Sequence, residues 1–304
     1  MADPLIIFVP GLRPKPEPDK HAEAMMRCLR KGISHVDDKL ASELQTKTDW
    51  FDLVDWNFAF YQEYHDIETD AAGIAAVLLQ QAASETDREE AMSWKLRFAK
   101  QMYRVADRFQ FLIPRLADKK TQIHLRDLKR YVRNIDNIAD RTRQALIGPL
   151  LKAAAQGRPT LLIGHSMGSL ISYDSLWLLS HASSEGFELD TFMTLGSPLG
   201  QRYVQHRLLG HRGEGAARYP TNIRNWLNIA AVGDLTALDV DLQDDYAGML
   251  ELGLVDNIDD HSAYNFFRDG GDGGPLNMHA EYGYLVNEVV AGAIARWWRQ
   301  VQQA

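Results

Sequence analysis

The chain holds a single cysteine, Cys28, in 304 residues. It can close no internal disulfide and build no thiolate metal cluster. Cys28 sits in the first helical pattern and is expected to be a packed thiol. Long apolar runs are missing too. No stretch approaches the roughly 20 apolar residues that span a bilayer. Met1-Ala2-Asp3-Pro4 offers no basic segment ahead of a short apolar run, so no signal peptide is expected and a cytoplasmic location is the expectation. Excess positive charge is absent: the net charge of −8 argues against nucleic acid as a partner. Internal repeats are absent as well. With 45% hydrophobic and 24% charged residues, the composition is that of an ordinary globular chain. Its length suits one large α/β domain with an insertion, or two smaller domains.

What is present is alternation. Short apolar runs at 5–9, 51–56, 160–165, 191–195, 225–231 and 254–258 are separated by helical patterns. Six strands alternating with helices predict a mostly parallel sheet covered on both faces. A helix is predicted over about 20–31, with Ala24, Met25, Cys28 and Leu29 inward, and another at the C-terminus through Leu285, Val286, Val289, Val290, Ala293, Ile294 and Trp297. If the second strand pairs outside the first and the third returns to its other side, the order is 2-1-3-4-5-6. The strand order then reverses between strands one and three, where open α/β sheets bind ligands.

Between the second and third runs lie about a hundred residues, more than one crossover needs. Trp94, Phe98, Met102, Val105, Phe109, Leu112 and Leu116 recur every three or four residues and predict an amphipathic helix. Residues 88–133 carry 13 Lys and Arg against five Asp and Glu. This is either a solvated helical face or a basic cap that attracts anionic substrate or lipid headgroups, which would make a peripheral membrane contact.

The most informative stretch is Gly164-His165-Ser166-Met167-Gly168. It follows an apolar run and leads into an apolar helical pattern, the context of a nucleophile elbow. Gly164 and Gly168 fit the crowded positions two residues either side of the serine. A serine hydroxyl needs a base, an acid to orient that base, and donors for the oxyanion. The base candidates are His279, entering the last helix, and then His261; His165 reads as packing, pointing away from the serine. The acid candidate is Asp234, which closes the fifth strand, with Asp239, Asp241 and Asp190 as alternatives. An acidic run at 239–245 could bind calcium, but it lacks the glycine of an EF-hand loop, and no metal is expected. The oxyanion donors are the N–H of Met167 and that of Leu12, or alternatively Gly11, in the loop after the first strand.

These pieces resemble the α/β-hydrolase superfamily in its serine lipase and esterase branch. The matching segments are Phe8-Val9-Pro10-Gly11-Leu12, Gly164 to Ser169, Thr194-Leu195-Gly196-Ser197-Pro198-Leu199, Asn228 through Asp234, and His279 with Tyr282. They cover roughly 4–56 and 145–300. The resemblance implies the α/β-hydrolase fold, with a core at 1–60 and 145–304 and a helical cap inserted at 61–144. It also implies a Ser-His-Asp mechanism without a cofactor. The chain departs from the family in three ways: it lacks counterparts of the first two strands, has no histidine before the oxyanion glycine, and carries Leu235 where proline often follows the acid. The expected activity is cleavage of carboxylic esters, with an apolar acyl chain suggested by the aromatic stripe. A thioesterase, amidase or peptidase could use the same three residues, and a non-catalytic module could bind a partner through the basic helices.

Overall fold

A computed structural model describes residues 2–108, 119–181 and 187–303. Phe109, Leu112, Leu116, Arg115 and Asp118 of the insertion lie outside the described residues. Six strands form one fully parallel sheet: β1 (Leu5–Val9), β2 (Phe51–Leu53), β3 (Thr160–His165), β4 (Leu189–Leu195), β5 (Ile223–Ala231) and β6 (Asn257–Ala263), in the order β2-β1-β3-β4-β5-β6. β1 and β3 are apolar along their length because both faces are covered; every residue of each is buried.

Helices cover both faces. On one lie α1 (Pro18–Ser34), α2 (Asp38–Thr46), α4 (Glu68–Leu79), α13 (Glu281–Val286) and α14 (Glu288–Gln303), packed on Ile6, Phe8, Ile163 and Leu195. On the other lie α3 (Trp56–Tyr61), α8 (Ile138–Ala155), α9 (Met167–His181), α11 (Leu242–Asp245) and α12 (Ala247–Glu251), packed on Ile7, Val9, Leu162 and Trp226. Alternate residues of β1 and β3 feed the two cores, as the pleat requires. Pro18 opens α1, where its missing N–H costs nothing. Cys28 is fully buried, and burial pushes its thiol up to about 12, so it stays protonated.

Three elements differ from the sequence reading. The second strand stops at Leu53, because Asp55 accepts the Phe58 N–H and starts α3 at Trp56. The last strand is Asn257–Ala263 rather than 254–258. It is an edge strand, so Asp259, His261 and Ser262 stay exposed and break the apolar pattern. The C-terminal helix is two helices. Asn287 has an extended ψ of 133°. Its side chain accepts the Val289 N–H at 2.9 Å and donates to the Tyr264 carbonyl at 2.9 Å, starting a new helix.

Between α4 and α8 lie α5 (Glu85–Ala91), α6 (Trp94–Arg108) and α7 (Lys119–Val132); a short α10 (Arg202–Gln205) follows β4. Arg268 ties α5 down, reaching Asp87 Oδ1 at 2.6 Å and Glu90 Oε1 at 2.8 Å. α6 meets the loops beyond β4 and β5: Arg104 Nε donates to the Leu238 carbonyl at 3.1 Å, and Asp107 accepts the Arg202 and Tyr203 N–H groups at 2.8 Å each. The aromatic stripe does not face these loops, for Trp94 is 68% and Phe98 63% exposed. Among the described residues, no helix is long and apolar enough to cross a membrane.

Candidate active site

In a parallel sheet all the loops leaving the strands' C-terminal ends emerge on one edge. The loops after β1, β3, β4, β5 and β6 therefore gather there, around the point where the strand order reverses. Ser166 follows β3 directly and takes φ +53°, in the left-handed region. That costs about 1–2 kcal/mol in an L residue. The surroundings enforce it: the Ser166 N–H donates to the Leu195 carbonyl at 2.9 Å, and the Ser166 carbonyl accepts from Ser169 N–H at 3.0 Å and Ser169 Oγ at 2.5 Å. Gly168 passes so close to the Val9 and Pro10 carbonyls that no Cβ fits.

Ser166 Oγ lies 2.8 Å from His279 Nε2, and His279 Nδ1 lies 2.7 Å from Asp234 Oδ2. Asp234 is 2% exposed. Its Oδ1 accepts the Thr236 N–H at 2.8 Å, and its Oδ2 also accepts from Tyr284 Oη at 3.0 Å. The Tyr284 oxygen is itself the acceptor for the Ala231 N–H at 2.8 Å, so its proton points to the carboxylate. Burial is the largest single influence on Asp234 and pushes its pKa up. The His279 imidazole, by charge and by hydrogen bond, together with the bonds from Thr236 and Tyr284, outweighs burial and leaves the carboxyl below its ordinary value. Asp234 is therefore an anion at neutral pH, and it fixes the imidazole with Nδ1 protonated and Nε2 open toward the serine.

Met167 opens α9, so its N–H is among the first of the helix and has no intrahelical partner. The same end carries the positive pole of the helix dipole. The loop after β1 is clamped by α3: Trp56 Nε1 donates to the Pro10 carbonyl at 2.9 Å, and Asn57 Nδ2 to those of Gly11 and Arg13 at 2.8 Å each. No acceptor among the described residues takes the Leu12 N–H. Gly11 lies against the elbow; a Cβ there would come within 3.0 Å of Ser166 Cβ and 2.9 Å of His165 Nδ1.

The alternative residues lie elsewhere. His261 is exposed on β6, paired with Ile229 across the ladder. Asp190 accepts from Trp297 Nε1 at 2.7 Å and stands near Arg224, at the opposite end of β4 from the elbow. Asp239 and Asp241 cap the turn before α11, Asp239 accepting the Asp241 N–H at 3.2 Å. Tyr282, grouped with His279 in the resemblance, bonds Asp70 instead at 3.3 Å. Tyr284, two residues on and roughly opposite on the helix, reaches the site.

His165 corrects the sequence reading. Its ring is buried but does more than pack. Its Nε2 lies 2.9 Å from the His279 carbonyl, and the two imidazole centroids are 4.7 Å apart. A carbonyl only accepts, so Nε2 carries the proton. Burial, first, and the neighbouring His279 depress His165 to about 4, against the pull of Glu281, so the ring is neutral at pH 7. Glu281 takes the reverse balance. Burial pushes it up, but the Lys15 charge first, and then His21 with its hydrogen bond, hold it well below the ordinary carboxylate value. Sequence reasoning missed Tyr284, Glu281, His21 and Lys15. The one available signal was Glu281, an acidic residue two positions from His279.

Both shifts set the same pH trend. A folded-state pKa below the unfolded one means that the unfolded chain binds more protons, so stability rises with pH. The stability due to His165 is complete above 6.5 and is lost as pH falls toward 4. At one pKa unit per 1.36 kcal/mol, the loss is about 3 kcal/mol. Glu281 adds to it below 4.5. Urea unfolding at pH 7 and pH 4.5 should show this fall in wild type and a shallower fall in His165→Gln; identical slopes in the two proteins would contradict the assignment.

No protein-family model, no curated protein and no solved structure matches this chain.

Proposed function

We propose that the protein is a serine hydrolase of carboxylic esters, with the α/β-hydrolase fold and a Ser166-His279-Asp234 triad. One observation carries the reading: an unbroken hydrogen-bonded chain from a strained serine through an imidazole to a buried carboxylate, at 2.8 and 2.7 Å. The chain order Ser, Asp, His and the strand-turn-helix setting of Ser166 support the same superfamily.

Ser166 Oγ attacks the ester carbonyl carbon as its proton passes to His279 Nε2. Asp234 steadies the imidazolium that forms. The carbonyl oxygen, now negative, is received by the N–H groups of Met167 and Leu12, which are worth about 2.7–4 kcal/mol each in the transition state. Collapse of the tetrahedral intermediate breaks the bond to the leaving oxygen, which takes the proton from His279 and departs as an alcohol. Water, losing its proton to the same nitrogen, then attacks the acyl-serine. Its collapse releases the acid and returns the proton to Ser166.

The test is a fluorophosphonate probe followed by nitrophenyl esters of graded chain length. Labelling of wild type and not of Ser166→Ala supports the reading. Labelling of neither favours a non-catalytic module, and turnover of thioesters or amides in preference to esters would move the reaction class. The apolar stripe of α6 is exposed, so it gives no support to a preference for long acyl chains.

Gly196 supplies a prediction of its own. It has φ +54°, and a Cβ there would stand 2.8 Å from Asp234 Oδ2 and 3.0 Å from His279 Nδ1. Gly196→Ala should push acid and base apart and lower kcat about 100-fold with KM little changed. Steady-state kinetics showing kcat within threefold of wild type would be the contrary result.

A further inference from the structure

Three segments distant in sequence, around residues 15–21, 165 and 281, meet at one buried carboxylate, Glu281, which is 5% exposed and opens α13 two residues after His279. Its Oε1 accepts from Lys15 Nζ at 2.8 Å and His21 Nε2 at 2.9 Å. Its Oε2 faces His165 Nδ1 at 3.4 Å, and the opposite nitrogen of that ring donates to the His279 carbonyl. Lys15 stands on the loop that carries Gly11 and Leu12, and its side chain is only 16% exposed. His21 is on α1 and His165 on the elbow itself. One carboxylate thus joins the oxyanion loop to the base loop across the nucleophile, without touching the space above Ser166.

Stability alone does not require such a group. Replacing a buried ionic cluster by apolar side chains is often neutral or stabilising. What the cluster adds is direction: Oε1 holds Lys15 at a set place, and Lys15 and Glu281 adjoin two loops that must each be positioned to a fraction of an ångström.

We propose that Glu281, two residues after His279, is a positioning residue that sets the oxyanion loop, through Lys15, against the base loop and the Ser166 elbow. The inference rests on the serine-hydrolase reading above. Removing its charge frees a half-buried ammonium, which draws the Leu12 segment toward solvent and away from the base loop. Substrate still binds, but the oxyanion donors and the base are displaced during turnover.

The experiment uses the full chain as wild type, Glu281→Gln, Lys15→Met, Lys15→Arg and the Glu281→Gln/Lys15→Met pair. Circular dichroism, thermal midpoint, kcat and KM on nitrophenyl butyrate, and fluorophosphonate labelling are measured for each. Glu281→Gln and Lys15→Met should each lower kcat about 10- to 100-fold, with KM within about threefold and native circular dichroism. The double variant should be no slower than the slower single one, since both substitutions break the same junction. Lys15→Arg should keep most of the activity. If Glu281→Gln does not fold, Lys15→Met and Lys15→Arg carry the test. Wild-type kcat in the charge-removing variants overturns the proposal, as do losses that multiply in the double variant or that merely follow the folded fraction. A wild type that neither turns over ester nor labels at Ser166 overturns the hydrolase reading and this inference with it; an active wild type beside an equally active Glu281→Gln overturns the inference alone.

Discussion

Ser166→Ala should abolish fluorophosphonate labelling and lower ester turnover about a million-fold, and His279→Ala should come close to the same loss. The two fall together because they act as one unit. A serine hydroxyl is no nucleophile at neutral pH until its proton has somewhere to go, and in the proposed mechanism Nε2, at 2.8 Å, takes it. What should remain in either variant is the contribution of the proposed oxyanion donors and of binding alone. His261→Ala is the control; it lies exposed on the edge strand and should leave turnover at the wild-type level. The measurement is kcat/KM over a series of nitrophenyl esters. Near-normal turnover in His279→Ala, or a large loss in His261→Ala, would refute the assignment of the base.

Asp234→Asn should cost about ten-thousand-fold in kcat, although it changes hardly any volume. The hydrogen bonds dictate how the amide must sit. The Thr236 N–H donates to Oδ1, so the amide oxygen takes that place. The NH2 group then falls where Oδ2 was, facing His279 Nδ1 and Tyr284 Oη. It donates to Nδ1, which pins the imidazole with its proton on Nε2, pointing at the serine it should deprotonate. The base is present in the wrong tautomer. The thermal midpoint should move far less than the rate. An Asp234→Asn enzyme within tenfold of wild type would show that the carboxylate does not orient the base.

Parts of this arrangement were legible in the sequence because they obey local rules. β1 and β3 are covered on both faces, so their residues are apolar without interruption and stand out as runs. The elbow was legible because a turn that tight admits only glycine at positions 164 and 168, and the reason is seen in the carbonyls that Gly168 nearly touches. Strand order was legible only as a condition: β2 does pair outside β1 and β3 on its other side, which gives the order 2-1-3-4-5-6. Where local rules were outweighed, the reading failed. β6 is an edge strand with Asp259 and His261 on it, so its alternation carries no apolar signal. The C-terminal helix breaks at Asn287 although the apolar spacing continues through it, because a side chain that bonds Tyr264 and caps α14 competes with the helix backbone. The stripe of α6 had the right period, but period does not say which way a helix is turned. Asp107 and Arg104 bond the rim, and the aromatic side is left outside.

What the sequence by itself determined was the set of parts: the strands that must be buried, the corner that must hold Ser166, and a short roster of histidines and aspartates for its partners. Tertiary structure alone decided which of them meet. Ser166 and His279 are 113 positions apart, and Lys15 and Glu281 are 266 apart. The physical reason is that a buried polar group is tolerated only where its partners are also buried, and that depends on packing the whole chain rather than on any window of it. His165 shows the difference most plainly. Its neighbours in sequence mark it as filler beside the serine, whereas in space its Nε2–H donates to the His279 carbonyl and ties the elbow to the loop that carries His279.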